Sequence, residues 1–196
     1  WLLRATTLLL GDTLLGIRAA AALTAAGGAA FLFATVRRLL GPRVATAALL
    51  LLLAAPLPAA GGIVATYDGP QVFFWCAALW SLLHALDGKV RWWYVTGLLC
   101  AAGTFCKVTM VFFPVGVLAL LLWHPGHRRW LRTPHPYLAG LIALLPFAAL
   151  FAWDRAHERM SSLHTAPLSR RHTGAAPGRW LGALLAGQLA ALGPAL

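Results

Sequence analysis

Apolar residues form long blocks along the chain, separated by polar, glycine- and proline-containing segments. The blocks lie at residues 19–36, 44–60, 71–86, 92–123, 137–153 and 180–196. Most are close to the ~20 residues with which a helix crosses ~30 Å of hydrocarbon. The pattern predicts an all-α fold of transmembrane helices, with residues 1–196 in a single transmembrane domain and residues 154–179 as a polar loop.

The block at residues 92–123 is too long for one simple crossing. As one helix it would extend ~48 Å, whereas two crossings need ~40 residues. A single crossing would put Arg91 and the arginines at 128–132 on opposite sides of the membrane. Two short crossings that turn near Lys107 put them on the same side, as the positive-inside rule favours. We therefore predict a break near Lys107 and about seven spans, the last truncated.

Basic residues in the short connections predict the orientation. The connections expected on the cytoplasmic side carry Arg37, Arg38 and Arg43, then Lys89 and Arg91, then Arg128, Arg129 and Arg132. The connection at residues 61–70 has no Lys or Arg, so it is placed on the outer side with the Lys107 turn and the 154–179 loop. That last loop is also basic, which weakens the rule.

Composition agrees with a membrane protein. Hydrophobic residues make up 60% of the chain and charged residues 11%, against ~25% charged residues in soluble domains. The formal net charge of +11 is explained by the basic connections and by anionic membrane lipids or phosphates as partners, so nucleic acid is excluded. The chain begins at Trp1 and ends inside an apolar block, so we expect a fragment of a longer protein.

Ionisable residues from separate connections share the predicted outer face. They are Asp68, Lys107, Asp154, Arg155, His157 and Glu158. Ionisable groups at membrane depth are costly and are therefore candidates for function. The assigned topology alone brings these residues to one side.

Each of the three main candidates has a structural and a functional interpretation. Asp68 either caps the helix that follows, or activates an acceptor or holds a metal. Lys107 either snorkels to the interface, or provides a cation for a phosphate. His157 is either a solvated loop histidine or a proton carrier near a phosphate leaving group.

Three stretches resemble glycosyltransferase family 39, in particular its bacterial dolichyl-phosphate-mannose mannosyltransferase-like and aminoarabinose transferase-like members. They are TYDGPQVFFWCAALWSLLHAL, WWYVTGLLCAAGTFCKVTMVFFP and WLRTPHPYLAGLIALLPFAALFAWDRAHERM. The family has an Asp followed shortly by a Pro ahead of an aromatic-rich span, which Asp68 and Pro70 match, and a glycine-rich helix that ends at a lysine, which Gly103 and Lys107 match. It has a proline in the next helix, which Pro114 matches. It also has a Trp-Asn-x-x-His-like segment after a later span, which Trp153, Asp154 and His157 match. Two positions depart from the family pattern: Cys106 precedes the lysine, and Asp154 replaces the usual Asn.

The resemblance implies a GT-C fold with its active site on the extracytoplasmic face of a bacterial plasma membrane. It implies transfer of a sugar from a polyprenyl-phosphate donor to a glycan, lipid or protein acceptor. Asp68 and His157 become the candidate catalytic residues, and Lys107 and Arg155 the candidate substrate-binding residues. Metal use varies among GT-C enzymes, so none is assigned, although a divalent metal stays open.

The family's principal acidic motif lies in its first outer loop, which we expect to precede Trp1. The resemblance therefore implies that the catalytic base lies in that loop, and no base is assigned within residues 1–196. A second hypothesis is a transporter or flippase for a lipid or small solute, in which residues 92–123 would be a broken helix. No internal repeat supports that alternative.

Overall fold

The computed structural model describes residues 2–55, 66 and 68–156, and every regular element in these ranges is helical. The α-helices are α1 Leu2–Leu10, α2 Leu14–Leu40, α3 Pro42–Ala54, α4 Asp68–Leu86, α5 Arg91–Cys106, α6 Phe112–Trp123 and α7 His135–Ala156. Short 3-10 segments, Val108–Val111 and Pro125–Arg132, lie on either side of α6. The prediction of an all-α fold is confirmed.

Local sequence explains where α2 begins and ends. The Thr13 hydroxyl accepts a hydrogen bond from the backbone N–H of Gly16 at 3.1 Å and so caps the first turn. At the other end Gly41 has φ 91°, a conformation that costs little only for glycine. Pro42 then occupies the first turn of α3, where its missing N–H is not needed.

Helix α4 lies between α2 and α5. The Phe31 and Trp80 rings are 5.6 Å apart, and the Arg38 side chain contacts His84 further along both helices, so α2 and α4 run in the same direction. The turn at residues 87–90 then reverses the chain, and α5 packs antiparallel against α4.

Helix α7 packs parallel to α5. The Tyr94 hydroxyl and His135 Nδ1 are 2.9 Å apart near the start of both helices. One turn further on, a Cβ added to Gly97 would lie only 2.6 Å from the carbonyl oxygen of Ala139, so the two backbones touch. The carboxyl ends of α5 and α7 therefore point toward the same end of the bundle.

The chain reverses again at Lys107. Helix α5 ends at Cys106, and Lys107 is extended, with φ −156° and ψ 131°. Helix α6 then returns toward the start of α5, where the Trp130 and Trp93 rings are 5.4 Å apart. The predicted break near Lys107 is confirmed.

The three basic connections meet at one end of the bundle. Arg38 forms an ion pair with Asp87, and Arg129 Nη2 donates to the carbonyl oxygen of Leu86 at 3.5 Å. This basic end is defined by Arg37, Arg38, Arg43, Lys89, Arg91, Arg128, Arg129 and Arg132. The charge pattern correctly predicts that these residues share one end.

Large apolar side chains cover the outside, whereas small residues fill the helix contacts. Leu9 is 83% exposed and Trp123 is 86% exposed, while Ala78 and Ser81 are fully buried. This distribution is typical of helices that face lipid and pack through small residues. Within the described ranges, α2, α4 and α7 are long and apolar enough to cross a membrane. The segments Val108–Trp123 and Pro125–Arg132 are bent by 112° relative to each other, and they would make a fourth span if the two were counted as one.

Some predicted boundaries differ from the observed ones. Helix α3 ends at Ala54, short of the predicted span at 44–60, and residues 56–65 lie outside the described part of the chain. Helix α7 continues to Ala156, so Asp154 and Arg155 lie in its last turn rather than at the start of a loop. The remaining loop, the last span and the number of spans stay predictions.

Candidate functional site

An ion pair joins Asp68 and Lys107 across 39 positions of sequence. Lys107 Nζ lies 2.5 Å from Asp68 Oδ1. Asp68 is the first residue of α4, where the helix dipole favours a carboxylate. The Asp68 side chain is 55% exposed and the Lys107 side chain is 37% exposed, so both are accessible to solvent. The structure therefore brings together two of the four predicted site residues.

Gly103 allows the chain to turn tightly at Lys107. The Lys107 N–H donates to the Gly103 carbonyl oxygen at 3.0 Å and closes the last turn of α5. A Cβ added to Gly103 would lie 3.0 Å from both Met110 Sδ and Phe74 Cβ. Because glycine leaves this space free, the 3-10 segment packs close to α4 and α5, which places Lys107 beside Asp68.

A second polar contact lies next to the ion pair. Gln71 Nε2 donates to Thr109 Oγ1 at 2.6 Å, one turn along α4 from Asp68. Sequence reasoning missed both residues. The available signal was spacing, because Gln71 follows Asp68 by three positions and so shares its helix face. Together the two contacts fasten the start of α4 to the break after α5.

The structure describes the position of only one of the other two predicted site residues, Arg155 and His157. Arg155 is exposed in the last turn of α7, and Asp154 beside it is half-buried. His157 lies outside the described residues. We call the end that carries Asp68, Lys107 and the carboxyl end of α7 the Lys107 end; it is opposite the basic end.

Acidic, histidine and cysteine side chains do not gather into a metal-binding group of three or more within the described ranges. Asp68 and Lys107 by themselves form a pair suited to binding an anion or to exchanging a proton.

An apolar cavity of about 450 Å³ lies between α5, α6 and α7. Its lining includes Trp93, Cys100, Phe113, Pro114, Leu121 and Ala143. It approaches the Lys107 break through Val111, in the 3-10 segment that follows Lys107. The site thus combines a charged pair with an apolar cavity near it.

Comparison with known proteins identifies the family. Residues 1–153 match the model of the family described as dolichyl-phosphate-mannose-protein mannosyltransferase. The chain belongs to this mannosyltransferase family. The match includes the Asp68–Lys107 pair and ends within the last turns of α7. The resemblance proposed from sequence is confirmed.

One curated relative of this chain comes from Pseudomonas aeruginosa (strain LESB58). It is named undecaprenyl phosphate-alpha-4-amino-4-deoxy-L-arabinose arabinosyl transferase and is 32% identical over 162 residues. The alignment covers 76% of this chain but only 29% of the relative. No solved structure matches the chain.

Proposed function

We propose that the complete protein is a membrane glycosyltransferase. It moves a sugar from a polyprenyl-phosphate donor to an acceptor on the extracytoplasmic face. Family membership and the name of the relative support this reaction class. The observation that carries the site is the accessible Asp68–Lys107 pair at the Lys107 end, opposite the basic end that the positive-inside rule assigns to the cytoplasm.

Lys107 binds the phosphate of the donor in this proposal. Lys107 lies at the end of an apolar stretch, where an anionic partner stabilises its charge, and Asp68 supplies that partner when no donor is bound. A donor phosphate replaces or shares that partner through charge-assisted hydrogen bonds, so the ammonium always has a counter-charge. Arg155 provides a second cation at the same end of the bundle.

Asp68 acts on the acceptor once the phosphate engages Lys107. The acceptor hydroxyl oxygen attacks the anomeric carbon, the bond from that carbon to the phosphate oxygen breaks, and polyprenyl phosphate leaves. The Asp68 carboxylate accepts a hydrogen bond from that hydroxyl and so helps to activate it, and the proton passes to the acidic motif that the family has in its first outer loop. His157 is the proposed proton carrier near the leaving phosphate.

The apolar cavity between α5, α6 and α7 suits the isoprenoid chain of the donor. It is lined almost entirely by apolar side chains and it begins near the break that carries Lys107. An isoprenoid in this cavity would leave its phosphate near the ammonium. Shortening the isoprenoid is therefore expected to raise the KM for the donor more than it lowers turnover.

The test is sugar transfer by the full-length protein in liposomes, with wild type compared to Lys107→Met. Met keeps the length of the side chain but removes its charge. We expect the donor KM to rise about tenfold to a hundredfold, on the scale of a hydrogen bond to a charged group. Lys89→Met is the matched control, because Lys89 is an exposed lysine at the basic end.

Two results would overturn the proposal. Wild-type kinetics in a folded Lys107→Met protein would remove Lys107 from the site. Movement of a lipid or solute across the liposome membrane without sugar transfer would favour the transporter alternative.

A further inference from the structure

A second cavity, shallow and wide open to the surface, lies at the basic end of the bundle, opposite the Lys107 end. It opens between the last turns of α2 and α4 and has a volume of about 520 Å³. Its lining is Phe33, Ala34, Arg37, Arg38, Trp80 and His84. Two guanidinium groups and the rings of Phe33, Trp80 and His84 therefore surround one opening, which neither the proposed sugar transfer nor the family match explains.

Arg38 is held in place by its neighbours. It forms an ion pair with Asp87, and its Nη1 lies 3.1 Å from His84 Nδ1. Arginine can only donate, so His84 Nδ1 accepts this bond and the ring proton lies on Nε2. The His84 ring also stacks on Trp92, with ring centroids 4.8 Å apart. One wall of the cavity is thus fixed.

Arg37 differs from Arg38, because its side chain has no partner among the described residues. The one acid at the basic end, within the described part of the chain, is Asp87, which is already paired with Arg38. The cavity therefore has an excess of positive charge within the described part of the chain, and the Arg37 guanidinium can bind a phosphate in a bidentate manner.

Apolar side chains continue the surface beside the cavity. Phe33 lies one turn before Arg37 on α2, and therefore nearer the membrane interior, and it lines the cavity together with Trp80. Trp80 and Trp92, whose centroids are 5.1 Å apart, provide the aromatic pair typical of the membrane–water interface. A ligand bound here contacts both cationic and apolar side chains. A phospholipid has an anionic phosphate and hydrocarbon chains that match both, whereas a free phosphate matches only the cations.

We propose that this cavity is a binding site for an anionic phospholipid of the membrane leaflet at the basic end. Arg37 binds the lipid phosphate, Arg38 and His84 form the wall of the headgroup site, and the acyl chains run past Phe33 along the preceding turns of α2. The site anchors α2 to α4 from the side opposite the transfer reaction.

The test uses the full-length protein in phosphatidylcholine vesicles that contain a phosphatidylglycerol with a photoreactive group in its headgroup. Cross-linked peptides are mapped by mass spectrometry. We expect labelling at residues 33–38 and 80–84, reduced about fivefold in Arg37→Gln, on the scale of one arginine at a charged surface. Arg43→Gln, which removes the same charge at the same end but lies outside the cavity, is expected to keep the labelling.

Three results would overturn the proposal. Equal loss of labelling in Arg37→Gln and Arg43→Gln would show general attraction to a basic surface. Equal labelling by a photoreactive phosphatidylcholine would show that the anionic headgroup is not recognised. Displacement of the phosphatidylglycerol by inorganic phosphate would show that the site takes a free anion. The Arg37→Gln variant leaves the Arg38–Asp87 pair intact, so it is expected to fold.

Discussion

The contact between α5 and α7 predicts that alanine substitutions at Gly97 and Gly140 differ sharply in their effect on the stability of the protein. In Gly97→Ala the new Cβ would lie 2.6 Å from the carbonyl oxygen of Ala139 and 3.0 Å from its Cα, and both atoms belong to the backbone. A rotamer change cannot relieve this overlap, so the helices must move apart by about 0.5–1 Å. A gap of that size forfeits about a quarter to a half of the contact energy of the atoms that line it. We expect destabilisation of about 1–3 kcal/mol, the range for overpacked interiors.

Gly140→Ala is the matched control for this prediction. Gly140 follows Ala139 on α7, but no atom lies within 4 Å of its added Cβ. The substitution is expected to be neutral or to stabilise the helix by about 0.5–1 kcal/mol. The assay is unfolding of the full-length protein in detergent, followed by circular dichroism. If Gly97→Ala were as stable as Gly140→Ala, the close parallel packing of α5 and α7 would be refuted.

Three further outcomes follow from the Lys107 end. Asp68→Asn is expected to change the free energy of unfolding by less than about 1 kcal/mol, because the ion pair is accessible to solvent. It should lower turnover about a hundredfold or more, because the acceptor hydroxyl loses the carboxylate that helps to activate it, and normal turnover would exclude that role. Gln71→Ala removes the 2.6 Å bond to Thr109 and is expected to raise the donor KM a few-fold, whereas an unchanged KM would show that the bond does not support the site. In a variant without native cysteines, a cysteine that replaces Arg155 should react with a membrane-impermeant thiol reagent added outside the cell. A cysteine that replaces Arg129 should not react. The reverse pattern would show that the assigned orientation in the membrane is wrong.

The break at Lys107 could be predicted from sequence because two physical constraints agreed there. Residues 92–123 were too long for one crossing, and the positive-inside rule required the flanking arginines to share a side. Both constraints act on a whole segment, so they do not depend on the details of packing. The meeting of the basic connections at one end follows from the same reasoning and was also predicted.

The contacts within each end could not be predicted, because they depend on helix register. Asp68 and Lys107 were assigned to one face, but their pairing rests on Gly103, which lets Met110 pack beside Phe74. A glycine in an apolar segment does not reveal which neighbour it accommodates. The pairing of Arg38 with Asp87 was missed for the same reason, since the basic residues were read only as a charge pattern. Helix α1 has only nine residues, fewer than the roughly 11–18 residues over which apolar periodicity identifies a helix.

The central claim is that Lys107 binds the donor phosphate, and equilibrium binding of polyprenyl phosphate tests it most directly. This lipid carries the phosphate but no sugar, so its affinity is independent of turnover. Binding to the full-length protein would be compared among wild type, Lys107→Met, Lys107→Arg and the control Lys89→Met. We expect Lys107→Met to bind about tenfold to a hundredfold more weakly, Lys107→Arg to retain most of the affinity because the charge remains, and Lys89→Met to match wild type. Equal affinity of wild type and a folded Lys107→Met protein would contradict the account.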